Sequence, residues 1–105
     1  MISLARFFGG ARYSSSGVDF TLNWYGASTH TVNATAGGVD VTLPPTTAHD
    51  LGAGGPVFLV LNVGANSFDL LASGGGAVAT VPAGDAAILS INASGGWSAM
   101  LLDVL

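Results

Sequence analysis

The titratable side chains, where chemistry would have to reside, are few. The chain has two histidines (His30, His49), six aspartates (Asp19, Asp40, Asp50, Asp69, Asp85, Asp103) and two arginines (Arg6, Arg12), with no Lys, Glu or Cys. Catalysis needs a nucleophile, or an acid and a base of tuned pKa, within reach of one another. His49-Asp50 is the sharpest adjacent pair, of a kind that serves as ligands in metal-dependent phosphohydrolases. Two ligands do not complete a metal site, however, and a loop turn capped by Asp50 is the simpler reading. His30 with an aspartate and one of the serines would suit a hydrolase triad, yet no Gly-x-Ser-x-Gly elbow surrounds a candidate nucleophile. His30 is therefore expected at the start of a strand. Gly74-Gly-Gly76 is followed by no Lys, so it reads as a turn rather than a phosphate cradle. Without cysteine, disulfides, thiolate catalysis and Cys-type zinc sites are excluded. Asn33-Ala-Thr35 and Asn92-Ala-Ser94 fit the glycosylation acceptor, which matters only in a eukaryotic secretory setting, and neither is expected to be modified. The expectation is a non-enzyme with no catalytic, metal-binding or cofactor-binding residues and no cofactor.

A length of 105 residues fits one domain, which buries only about two-thirds of the surface its unfolded chain exposes. Half the residues are hydrophobic and 8% are charged, against roughly a quarter charged in ordinary soluble domains. A surface so poor in charge is badly equipped to keep copies apart, which points to oligomerisation or permanent attachment. Coding bias toward Ala and Gly is the competing account of this composition. A net charge of −4 without Lys argues against nucleic acid as a partner, because neutralising phosphates takes clustered cations. The N-terminal run lacks the form of a secretory leader, since Arg6 interrupts it and Gly9-Gly10 ends it. No stretch approaches the ~18 apolar residues of a membrane helix. A soluble protein without a membrane partner is expected.

The elements that must carry any binding residues are strands. Glycine and proline punctuate the chain too often for long helices, while Val, Ile, Thr, Phe and Trp gather in strand-length runs. Val18-Asp-Phe-Thr-Leu-Asn-Trp24 alternates, which places Val18, Phe20, Leu22 and Trp24 on one face and Asp19, Thr21 and Asn23 on the other. Gly17-Val-Asp-Phe-Thr-Leu22 and Gly38-Val-Asp-Val-Thr-Leu43 form a near-copy offset by 21 residues. That pair reads either as an internally duplicated unit or as the chance likeness of two alternating strands. Thr31-Val-Asn-Ala34 is a weaker strand, and Pro44-Pro45 stops pairing for want of a ladder donor. The longest loop candidate runs from Thr46 to Pro56. Val57-Phe-Leu-Val-Leu61 is a continuous apolar run, as expected of a strand covered on both faces. Asn62-Val-Gly-Ala-Asn66 reads as a hairpin turn, Pro82-Ala-Gly84 as a type II turn and Asn92-Ala-Ser-Gly-Gly96 as a last hairpin. The sum is an all-β chain: a single small β-sandwich or barrel, jelly-roll-like, of about eight short antiparallel strands over residues 17–105.

Residues 1–16 differ in character, because large apolar side chains are set off by Gly9-Gly10 and Ser14-Ser-Ser16. They read as an N-terminal arm that docks on a neighbour, or else as the first core strand. Trp24 and Tyr25 are adjacent, so on a strand one faces out; tryptophan itself favours the core. The candidate protein-interface residues are Met1, Ile2, Leu4, Arg6, Phe7, Phe8, Arg12, Tyr13 and Tyr25.

From Val39-Asp-Val-Thr-Leu-Pro-Pro45 through Leu61-Asn-Val-Gly-Ala-Asn66 and Val81-Pro-Ala-Gly84 to Gly96-Trp97, the C-terminal two-thirds resembles small β-domains of tailed-phage structural proteins. These include capsid decoration (cement) proteins and modules of head and tail fibres. Each element is ordinary turn chemistry, so the order and spacing carry the likeness, and the first 38 residues take no part in it. The resemblance implies no catalytic residues. It implies a virion protein on the outer capsid surface, partnered by the major capsid protein and by itself, with a trimer favoured. The other role it implies is a fibre module that binds a host receptor or glycan.

Overall fold

In the computed structural model, residues 11–22, 29–46, 57–92 and 94–103 are described, and within them every regular element is a strand. In chain order these are β1 (Ala11–Ser16), β2 (Phe20–Thr21), β3 (Thr29–Ala34), β4 (Val39–Thr42), β5 (Phe58–Asn62), β6 (Phe68–Leu71), β7 (Ala77–Val81), β8 (Asp85–Ile91) and β9 (Trp97–Asp103). They form a five-stranded sheet, β1-β3-β5-β8-β9, and a four-stranded sheet, β2-β4-β6-β7.

From β1 to β6 the chain alternates between the two sheets, so that β1, β3 and β5 stack in parallel in one and β2, β4 and β6 in the other. Parallel neighbours need a long crossover. Here the strand of the opposite sheet supplies it, and the chain winds as a short coil of two-strand rungs. The rungs bond beyond their strands: Thr35 N donates to Ser16 O at 2.9 Å, Val63 N to Val32 O at 3.0 Å, and Leu43 N to Leu71 O at 2.7 Å. Only then does the chain reverse, with β7, β8 and β9 adding antiparallel to β6, β5 and β8. The sequence expectation is thereby corrected on three counts. Among the described residues there are nine strands rather than about eight, four of the seven pairings are parallel, and neither sheet closes into a barrel.

The near-copy is a stacked pair. Phe20 lies beside Val41 and Thr21 beside Thr42, the 21-residue offset read from the sequence. A third member had gone unread: Phe68-Asp-Leu70 keeps the apolar, Asp, apolar order, and Val39, Asp40 and Val41 pair with Phe68, Asp69 and Leu70. One face of each copy feeds the core, where Val41 and Leu70 are fully buried. Leu22 is buried and Phe20 packs against the core, but Val18 precedes β2 and is 72% exposed, so the inward face begins later than the alternation implied.

The core lies between the sheets, with Leu22, Val39, Val41, Leu43, Phe68, Leu70 and Val81 opposing Val32, Ala34, Phe58, Val60, Ala87, Leu89, Ile91 and Trp97. Trp97 meets Phe58 edge-on at 5.9 Å and donates its indole N–H to Pro44 O at 3.0 Å, so its ring is core and its polar atom is satisfied. β5 is the middle strand of its sheet, and Phe58, Leu59 and Val60 are all buried, as a continuous apolar run requires.

Turn chemistry follows local composition except at one place. The β6–β7 and β8–β9 hairpins share one design: Gly75 N donates to Ala72 O and Ala72 N to Gly76 O, just as Gly95 N donates to Asn92 O and Asn92 N to Gly96 O. Gly75 and Gly95 have φ of +96° and +81°, the left-handed residue of a three-residue loop with a bulge. Pro82-Ala-Gly84 makes the expected turn, with Asp85 N donating to Pro82 O at 3.1 Å and Gly84 at φ +82°. Asn62-Val-Gly-Ala-Asn66, expected as a hairpin, is instead the corner between β5 and β6, which belong to different sheets. Gly64 serves space there rather than a positive φ: an added Cβ would collide with Asn33 Oδ1 and come within 3.2 Å of Ala34 N. Buried Asn62 ties the corner, its Nδ2 donating to Asn66 O (2.8 Å) and Val81 O (3.0 Å) and its Oδ1 accepting from Gly64 N (3.0 Å). Asn66 Nδ2 donates in turn to Ala34 O of the rung below, at 2.9 Å.

Candidate protein-binding face

Strand register sorts the side chains of the five-stranded sheet into an inner and an outer set. The inner row through Val60 and Ala87, both fully buried, also contains Arg12, His30 and Leu101. The outer row one residue along runs Tyr13, Thr31, Leu61, Ala86 and Leu102, crossing all five strands. Beside it run Thr29, Leu59, Ile88 and Met100; Thr29, Leu59 and Ala86 are buried and Thr31, Leu61 and Ile88 half-buried, so this side of the sheet is open to solvent only at its margins. Neither outer row contains a charged residue. Tyr13 is 63% exposed, Met100 60% and Leu102 40%, so apolar side chains meet solvent at both margins of the face. At one end the face continues past Leu61 into a hollow of about 430 Å³ beside the β5–β6 corner, where Val63 is exposed and Asp85 is the one charged lining residue.

The outward face of the four-stranded sheet has the opposite character. Asp40 and Asp69 are register neighbours, and Asp19 lies beside Asp40, whose backbone N–H it caps at 2.9 Å. Asp69 accepts a 2.6 Å bond from Thr80 Oγ1. Thr21 and Thr42 stand beside each other in the same sheet, two residues beyond Asp19 and Asp40. The carboxylates are thus strung across strands about 4.8 Å apart, and among the described residues no three His or Asp side chains form a group that could hold a metal ion.

Of the interface residues named from sequence, Arg12 and Tyr13 lie on β1 and both are exposed, but on opposite faces, so only Tyr13 joins the uncharged one. Tyr13 also receives a long 3.4 Å bond from Asn33 Nδ2 on β3. Residues 11–16 of the expected arm are the edge strand β1, hydrogen-bonded to β3. Met1, Ile2, Leu4, Arg6, Phe7, Phe8 and Tyr25 lie outside the described residues, as do Trp24, His49 and Asp50. His30 is the second residue of β3 and is buried in the inner row. Met100, Leu101 and Leu102 went unread as contact residues. Their signal was a run of three large apolar residues in a final strand where alternation fails. No protein-family model, curated protein or solved structure matches this chain.

Proposed function

We propose that this chain is a structural protein of a virion, a decoration (cement) protein that binds the outer surface of the major capsid protein lattice and stabilises the head. The observation that supports this reading is the segregation of the two outward sides: the exposed margins of the five-stranded sheet, at Tyr13, Met100 and Leu102, carry apolar side chains and no charge, while the four-stranded sheet presents a row of aspartates. A protein fixed to a surface by one side and hydrated on the other needs that division, because the core of an interface is depleted in charge while the solvated side keeps it. We read the two-sheet body as a sandwich wound from parallel rungs, a stiff plate suited to bridging neighbouring subunits.

Size sets how such a plate can hold. Five strands of about six residues span at most roughly 400–500 Å² by strand spacing and rise, and only the margins of that area are exposed, well short of the ~800 Å² per partner of a standard interface. Attachment therefore gains from several linked copies, whose modest contacts combine through effective concentration. A clamp that binds the assembled lattice better than free subunits stabilises the shell by mass action.

A second reading, a fibre module that binds a receptor or glycan, draws support from Tyr13, whose exposed ring could stack on a sugar. Sedimentation of the protein with shells that lack it separates the two. Stoichiometric co-migration with a raised shell melting temperature is the expected result. A protein that leaves shells unbound and unstabilised, and is retained by a glycan array through Tyr13, would replace the first reading with the second.

A further inference from the structure

β9 is the far edge of its sheet, and among the described residues only β8 pairs with it. It is also exposed on both faces: after Trp97, all six residues to Asp103 are exposed, with Met100 at 60%, Leu101 at 47% and Leu102 at 40%. A long, apolar, nearly uncharged edge invites another strand, and proteins that live as monomers blunt such edges with charge, proline or bulges. None of these interrupts Trp97–Leu102.

We propose that the occupant is a second copy of this chain, its β9 pairing antiparallel with this one about a twofold axis centred on Met100, so that two five-stranded sheets join as one. The backbone permits this register. Asn92 N donates to Gly96 O, and bonded pairs alternate along an antiparallel ladder, so Ser98, Met100 and Leu102 spend their polar groups on β8. Ala99 and Leu101 then point theirs outward. Centring on Met100 sets Ala99 opposite Leu101 of the second copy, which makes that outward-pointing pair the one that exchanges hydrogen bonds.

The side chains fit the same register. Facing residues in such a pairing share a side of the sheet, so Leu101 meets Ala99 on one side and Leu102 meets Ser98 on the other, large against small each time. Charge fits as well. Asp103, the one charge on the strand, is placed at opposite ends of the pairing and faces Trp97, whereas a parallel pairing would set the two carboxylates together. A single strand pair lies at the small end of interface sizes, so the association depends on concentration in the micromolar range, about 10⁻⁶ M. This pairing does not depend on what the outer face of the sheet binds.

The chain has no cysteine, which makes a single introduced one an unambiguous reporter. At the axis, Met100→Cys places two thiols on facing Cα atoms about 4.5 Å apart, within disulfide range. Under copper-phenanthroline oxidation it is expected to give a covalent dimer. Ser98→Cys, which faces Leu102 in this register, is expected to remain uncross-linked. Ala99→Pro removes only the outward-pointing donor, a position where an edge strand tolerates proline, and is expected to raise the dissociation constant at least about tenfold, because symmetry counts the lost bonds twice. A far-UV circular dichroism spectrum unchanged from wild type and a cooperative thermal melt show that the Ala99→Pro monomer is folded. A wild-type protein monomeric at all concentrations, a trimer, a dimer indifferent to folded Ala99→Pro, or equal cross-linking from both cysteine positions would each overturn the proposal.

Discussion

Replacing Asn62 with Ala tests the idea that one buried amide fastens the β5–β6 corner. Asn62 is 2% exposed and makes three bonds to backbone groups, two as donor and one as acceptor. Asn62→Ala leaves Val81 O without its side-chain partner in the interior, and Asn66 O and Gly64 N without theirs at the half-buried edge of the corner. Taking about 1 kcal/mol for each bond, with a desolvation cost where no solvent substitutes, gives a loss of about 2–4 kcal/mol. In a domain of this size that lowers the melting temperature by roughly 10–20 °C. Urea unfolding followed by tryptophan fluorescence reads the change as a lower midpoint at constant slope. The internal control is Asn92→Ala. Asn92 has the same local design, its Oδ1 accepting from Ser94 N and Gly96 N, but it sits in a solvent-accessible hairpin where water replaces the lost bonds. Its loss is expected to cost under about 1 kcal/mol. If Asn62→Ala costs no more than Asn92→Ala, burial is not what gives the corner amide its weight, and the reasoning fails.

Gly64→Ala is expected to destabilise by about 1–3 kcal/mol, since its Cβ would press on Asn33 and on the backbone of Ala34. Gly74→Ala, with nothing within 4 Å of its Cβ, is expected to be neutral or slightly stabilising, and thermal melts of the pair separate crowding from a general dislike of alanine in turns. Asp40→Asn removes the middle charge of the aspartate row and keeps the backbone bond to Asp19. A gain of about 0.5 kcal/mol at low salt is expected, shrinking toward zero near 1 M NaCl where the Debye length is ~3 Å; a melting point unchanged at low salt would show that the carboxylates do not repel measurably.

The strands were legible because their physics is local. Alternation located β2 and β4, a continuous apolar run located β5, and the size of Trp97 predicted its burial. Partner choice was not legible, because a parallel and an antiparallel strand present the same alternation. The one non-local clue was the copy at Gly17 and Gly38, whose significance depends on a third copy at Phe68 that drops the threonine. The corner at Asn62 was misread for a related reason. Asn and Gly suit a hairpin and a corner equally, and what distinguishes them is a bond from Asn62 to Val81, 19 residues away. Of the candidate face, Tyr13 was found because it is aromatic and lies outside the alternating strands. Met100 and Leu102 were passed over because apolar residues in a strand read as core until the structure shows that nothing described lies over them.

The winding of the chain also separates the order of synthesis from the order of assembly. The β6–β7 and β8–β9 hairpins close across three-residue loops, the fast and local kind of event, whereas each parallel rung must wait for the chain to cross the molecule and return. β1 leaves the ribosome before β3, yet among the described residues β3 is the only strand that pairs with it, and β3 is itself placed by β5. The amino-terminal rung is therefore made early and ordered late, and for that interval its open strands are templates for any neighbouring nascent copy. Refolding limited by the parallel rungs, and yields that fall as protein concentration rises, are the kinetic signature of a fold that finishes at its beginning.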